Sequence, residues 1–261
     1  MTHTPTGRLY LVPNALDFGL PAGHVQAGIE ELLPTGVLRI AARLGYWVCE
    51  NAKTTRALLK RIDAVVPLAA PLQSLSITEL PRQAKGGAAR QPPSRETWSA
   101  LLAPAVAGND LGLLSEAGLP AVADPGSALV GAAHDLGIEV VALAGASSLL
   151  LALAASGLQG QSFAFVGYLP IDAAARHQRI RELEATSRRS DQTQLMIETP
   201  YRNQALLDAL LASLQPATRL AIACGLTLPG GFNRSATVAH WRRHGWTLPA
   251  DVPAVFSVLA G

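Results

Sequence analysis

Three glutamates and four turns hold the residue types with which this chain can do chemistry. Glu50, Glu116 and Glu198 each stand at or just past the end of a short apolar run. A carboxylate placed there can take the proton of a hydroxyl nucleophile. Helix capping or a plain hydrogen bond is the competing use of the same group. Glu50 and Glu198 are the catalytic candidates. The four turns are Pro13-Asn14, Glu116-Ala117-Gly118-Leu119-Pro120, Gly145-Ala146-Ser147-Ser148 and Glu198-Thr199-Pro200-Tyr201-Arg202. Each leaves an expected strand through small residues or proline, which lets backbone N–H groups come close to a ligand. Ser147 and Ser148 precede an apolar helix and can cap it or offer amides to a carboxylate. Arg202 can pair with a phosphate or with one of the glutamates.

The elements that must position these groups alternate. Strands are expected at 8–12, 46–50, 110–115, 138–143, 163–168, 193–198, 219–224 and 253–259, where runs are apolar or rich in β-formers. Helices are expected at 25–33, 55–62, 94–107, 127–136, 149–155, 173–189 and 201–214. Pro34-Thr35-Gly36 reads as a helix stop, and 37–42 fits helix and strand alike. Residues 67–93, with Arg82, Lys85 and Arg90, show little periodicity and read as a long loop or flap. Strands alternating with helices at this spacing argue for a mostly parallel sheet covered on both faces, with ligands beyond the strands' carboxyl ends. The best boundary lies at Ser156 to Gln161, giving domains 1–158 and 159–261.

Bulk properties exclude several classes. Hydrophobic residues make up 49% and charged residues 15%, enough to bury a large core. A net charge of +2 is too small for a dedicated nucleic-acid coat, though it permits an RNA substrate. The two cysteines, Cys49 and Cys224, give no disulfide framework. Neither they nor His3, His24, His134, His177, His240 and His244 show metal-ligand spacing, so no metal is expected. The dinucleotide, P-loop and G-x-S-x-G fingerprints are missing. Residues 1–7 lack a signal-peptide stretch, and the longest apolar run, Leu149 to Ala155, is far below the roughly 20 residues that cross a bilayer. A cytoplasmic protein with no membrane partner is expected.

Leu114-Ser-Glu-Ala-Gly-Leu-Pro-Ala-Val-Ala-Asp-Pro-Gly126 resembles the S-D/E-A-G-x-P-x-x-x-D-P-G motif of the tetrapyrrole (corrin/porphyrin) methylase superfamily. Gly145-Ala146-Ser147-Ser148 with Ser156-Gly157-Leu158, the run Phe163 to Pro170, and Glu198 to Arg202 are similar to motifs of its branch of 16S rRNA cytidine 2′-O-methyltransferases. The resemblance implies two α/β domains, the first sheet mostly parallel and the second mixed. It implies S-adenosylmethionine (SAM) folded into an interdomain cleft, and a homodimer. By position, Val12, Pro13, Glu116, Ala117, Gly118, Leu119, Pro120, Ser147 and Ser148 would hold the cofactor, with Ile197, Glu198 and Ala223 facing it from the second domain. The implied function is SAM-dependent methyl transfer to ribosomal RNA, with the small ribosomal subunit as partner. The chain departs from that branch at 13–17, 49–53 and 224–228. Two alternatives therefore stand beside it: methylation of a small molecule of tetrapyrrole type, and SAM binding without catalysis. The basic residues Arg95, Arg176, Arg179, Arg181, Arg188 and Arg189 suit RNA or a solvated helix face.

Overall fold

The computed structural model describes residues 6–17, 28–81 and 93–261. They form two compact units that divide between Ala146 and Ser147.

The first unit runs β1 (Leu9–Val12), α1 (Ile29–Leu32), α2 (Thr35–Arg43), β2 (Tyr46–Cys49), α3 (Ala52–Asp63), β3 (Ser76–Glu79), α4 (Arg95–Val106), β4 (Leu111–Leu114), α5 (Ser127–Asp135) and β5 (Val140–Ala142). Among the described residues the five strands make one parallel sheet, ordered β3-β2-β4-β1-β5. The central strands are almost wholly apolar because both faces are covered. One face packs Tyr10, Val12, Trp47 and Leu114 under α2 and α3. The other packs Leu9, Val48, Leu111 and Leu113 under α4 and α5. Gly112 is what lets the Trp47 indole lie across β4, since a Cβ there would sit 2.7 Å from the ring. Caps fix two helix starts: Asn51 accepts from the Lys53 and Thr54 amides, and Ser94 accepts from the Thr97 amide.

The second unit runs α6 (Ser148–Ser156), β6 (Phe163–Phe165), α7 (Ala173–Ser190), β7 (Thr193–Glu198), α8 (Asn203–Ser213), β8 (Arg219–Cys224), β9 (Phe232–Thr237), α9 (Val238–His244) and β10 (Ala254–Leu259). Its described strands form a mixed sheet, ordered β6-β7-β10-β8-β9. β6 and β7 are parallel, and the remaining pairs are antiparallel. The core gathers Ile180, Leu183, Met196, Leu207, Leu210, Ile222, Trp241 and Phe256. Trp241 is fully buried and its Nε1 donates to the Leu220 carbonyl at 2.8 Å.

The fold class is the expected one, an α/β protein with a parallel and a mixed sheet. Several local expectations need correction. Residues 67–93 are not one structureless loop, since β3 pairs with β2 inside that range. β3 is an edge strand with mostly exposed side chains, so no apolar alternation marks it. Arg82, Lys85 and Arg90, and the beginning of the helix expected at 25–33, lie outside the described residues, as do His3 and His24. Pro34 does not stop a helix; it stands directly before α2 at φ −57°, where its missing N–H is not needed. The stretch 37–42 is helical, with Val37, Leu38, Ala41 and Ala42 buried on one face. The helix expected from Tyr201 begins as a 3₁₀ turn, Pro200–Arg202, before α8. α9 had no signal beyond Val238 and Trp241, its two buried residues. The division by packing places α6 with the second unit. That helix buries Leu149, Ala152 and Leu153 against Leu195, Ala223 and Val255 of the second sheet. Among the described residues, no helix is long and apolar enough to cross a membrane.

Candidate functional site

In the first unit, three strand-end turns lock together. Asn14, after β1, forms an isolated bridge with Gly118, after β4: the Asn14 amide donates to the Gly118 carbonyl at 2.8 Å, and the reverse bond is 3.2 Å. The Asn14 side chain is 7% exposed. Its Nδ2 donates to the Ser115 and Glu116 carbonyls at 3.1 and 2.9 Å, while its Oδ1 accepts from the Ala15 amide. Gly145, after β5, presses on Pro13 so closely that a Cβ would lie 2.2 Å from the proline Cβ. Gly118 sits at φ +66°, a conformation that favours glycine. Ala121 and Ala123 take φ +65° and +63°, costly for residues with a Cβ. The loop after β4 is thus held in a strained shape by its neighbours.

A carboxyl cluster lies on this edge. Glu50 follows β2, and its amide donates to the Leu114 carbonyl at 3.3 Å. Burial, and then the nearby charges of Asp124 and Glu116, push the Glu50 carboxyl up to about 7, with Ser115 and the Glu116 backbone pulling the other way. Asp124 is pushed up to about 6 by burial and by Glu116, opposed by Ser115. Glu50 Oε1 and the Ser115 hydroxyl are buried and have no hydrogen-bond partner of good geometry. Ser115 is only 3% exposed. Among the described residues no cluster of histidine, cysteine, aspartate and glutamate could hold a metal ion.

The second unit holds the remaining expected residues. Glu198 ends β7 and is 6% exposed. Its Oε1 accepts from the Thr199 amide at 2.9 Å and lies 3.3 Å from the Thr199 hydroxyl. Its Oε2 is 3.0 Å from Arg202 Nη2, an ion pair whose angle falls short of a hydrogen bond. Both oxygens are therefore engaged. Ser147 caps α6 without a side-chain hydrogen bond, and its carbonyl accepts from the Leu151 amide. Ala223 belongs to the cluster under α6, with Ile197 packed against it.

Val12, Pro13, Glu50 and Glu116 to Pro120 thus gather on the first unit's sheet edge. Ser147, Ser148, Ile197, Glu198 and Ala223 belong to the second unit. Sequence reasoning marked Asn14 only as part of a turn and did not single out Ser115 and Asp124. Ser115 and Asp124 stood in the quoted motif, but nothing in a sequence tells which of its polar side chains will be buried without partners.

Comparison with known proteins gives a consistent result. The family described as Tetrapyrrole (Corrin/Porphyrin) Methylases matches residues 28–238. The Ribosomal RNA small subunit methyltransferase I of Mesorhizobium japonicum is 39% identical over 132 residues, covering 51% of this chain and 44% of that protein. Its counterpart in Streptococcus pyogenes serotype M6 is 30% identical over 207 residues, covering 79% of this chain and 61% of that protein. The matches therefore span less than two thirds of those relatives. Two solved structures share the fold. The methyltransferase CobJ has a TM-score of 0.55 at 16% identity, covering 98% of this chain and 100% of that one. The uroporphyrin-III C-methyl transferase from Thermus thermophilus, complexed with S-adenosyl homocysteine, has a TM-score of 0.52 at 19% identity, covering 97% of each chain.

Proposed function

The chain belongs to the tetrapyrrole (corrin/porphyrin) methylase family, and from that premise we propose that it is a SAM-dependent methyltransferase acting on a ribose hydroxyl of ribosomal RNA. The observation that carries the RNA half of the reading is the likeness to ribosomal RNA small subunit methyltransferases across most of this chain. The solved structure with S-adenosyl homocysteine supports the cofactor half.

The residues present fit such a cofactor. Gly118 and Gly145 keep Cβ atoms out of the interlocked turns, so backbone rather than side chains faces the edge. Glu50 Oε1 and the Ser115 hydroxyl are buried without a hydrogen-bond partner of good geometry, and a cationic, hydroxyl-bearing nucleoside brings donors. Val12, Pro13 and Glu116 to Pro120 of the first unit's sheet edge would hold it; Ser147, Ser148, Ile197, Glu198 and Ala223, also expected to do so, belong to the second unit. When bound, the cofactor supplies a methyl group on a sulfonium.

The chain's own residues then do three things. The rigid turns fix the direction of approach, and alignment can contribute an upper range of about 7–11 kcal/mol to such a reaction. Glu50, whose carboxyl sits near 7, takes the proton of the acceptor hydroxyl. Glu198 holds Arg202 and the turn after β7 in place, and with both oxygens engaged it is the poorer base. The reading extends to a cytoplasmic homodimer, which sedimentation of the purified chain checks.

Labelled SAM is incubated with the protein and, in parallel, total rRNA, intact small subunits and a small-metabolite extract. Label in a ribose of rRNA is expected. Label only in a small molecule replaces the substrate. No label anywhere, with the cofactor still bound, leaves a binding protein without catalysis.

A further inference from the structure

A cavity of about 400 Å³ opens in the first unit beside α5, lined among others by Leu80, Pro81, Trp98, Asp124, Pro125 and Ser127. That volume lies in the range of small-ligand sites. Its walls are of two kinds. An indole and prolines offer flat apolar surface, while Asp124 and the first turn of α5 offer polar atoms. Among the described residues, no Lys, Arg or His lines it.

The N-terminus of α5 alone would suit an anion. Asp124 outweighs it, because Glu116 and Glu50 lie close enough to act on the same carboxyl group and raise the local negative potential. A phosphate is therefore the wrong occupant. An uncharged ring with hydrogen-bond donors is the right one. Behind this wall Ser115, 3% exposed, lies against the Asp124 and Glu50 carboxyls and supports Asp124 as an acceptor. Asp124 therefore sets a negatively charged acceptor at the edge of a flat apolar slot. Extruded bases are held in that manner, stacked on apolar or aromatic side chains and hydrogen-bonded at their edge.

We propose that this cavity receives an unpaired nucleobase of the RNA acceptor, stacked on Trp98, with an exocyclic amino group donating to Asp124. The proposal rests on the RNA reading above and names the feature of the acceptor that the first unit recognises. It also assigns Asp124 a specificity role distinct from proton transfer by Glu50.

Cytidine, guanosine and uridine are titrated into the full chain with S-adenosylhomocysteine saturating, followed by saturation-transfer NMR. The two amino-bearing nucleosides are expected to bind about tenfold more tightly than uridine. Asp124→Ala removes that preference, Trp98→Leu weakens all three, and both variants keep their affinity for S-adenosylhomocysteine. Asp124→Asn, the milder change, shrinks the preference several-fold, so a misfolded alanine variant leaves the test intact. Equal binding of the three nucleosides, a preference that survives at position 124, transfer to none of them at millimolar concentration, or displacement by inorganic phosphate overturns the proposal. Failure of the methyltransferase reading shows separately, as absent S-adenosylhomocysteine uptake or turnover, whatever the nucleosides do.

Discussion

At the scale of single residues, environment separates two glutamates that look alike in the sequence. Glu198 has the Thr199 amide on one oxygen and Arg202 beside the other. Glu50 has a buried oxygen without a partner and two acidic neighbours. Glu50→Gln is expected to lower kcat by about 10²–10⁴ while S-adenosylhomocysteine affinity stays within a small factor; unchanged turnover would remove Glu50 as the base. In the unmodified enzyme kcat should rise with pH and level off above about 7, as the Glu50 carboxyl ionises. Stability moves in the opposite sense. The folded state holds protons on Glu50 and Asp124 more tightly than the unfolded chain, whose ordinary values are 4.5 and 3.8. Their contribution is fully favourable below those values and is lost as pH rises through about 6 and about 7. Glu50→Gln should therefore raise the melting temperature by roughly 2 °C at pH 8, a figure reduced for solvent screening, and change it little at pH 4. Glu198→Ala should act differently: it strands Arg202 and should cost about 3 kcal/mol by denaturant titration, where a loss under about 0.5 kcal/mol would show the pair to be idle.

At the scale of elements, the strand-end turns of the first unit behave as one part. Gly145→Ala forces a Cβ into Pro13 and should cost about 1–3 kcal/mol. Asn14→Ala strands the Ser115 and Glu116 carbonyls and should cost a similar 1–3 kcal/mol. Because both changes loosen the same edge, the double variant should cost measurably less than the sum of the single losses; strict additivity would mean that the turns are independent. The elements also show where patterns in the chain were readable. β1, β2 and β4 are buried on both faces and announce themselves as apolar runs. β3 carries Ser76, Thr78 and Glu79 at a sheet edge and announces nothing. α2 follows Pro34 directly, and whether a proline ends one helix or opens the next depends on which residues pack beneath it, here Val37, Leu38 and Ala41.

At the scale of the molecule, α7 displays Arg176, Arg179, Arg181, Arg188 and Arg189 on the second unit. Several of these are tethered, Arg179 to Glu182, Arg188 to the Gly261 carbonyl and Arg189 to the Thr186 hydroxyl. Only Arg179 of these is paired with a carboxylate among the described residues, so about four cations remain on that helix and RNA affinity should fall by about 10² between 50 and 200 mM salt; a loss near the 10³–10⁵ typical of 6–10 phosphate contacts would show a more basic footprint than α7 supplies. The alternation of apolar runs and helices, together with the Ser115 to Gly126 string, was enough to give two α/β units and the family, since periodicity and turn chemistry are local properties of a chain. Which strands lie side by side was not local. Only folding put Glu50, Ser115 and Asp124 on one edge, hung α6 on the second sheet, and left one glutamate beside an arginine and the other among acidic neighbours with one oxygen unpartnered. Burial and charge proximity arise between residues far apart in the chain, and those two quantities set what each carboxyl can do.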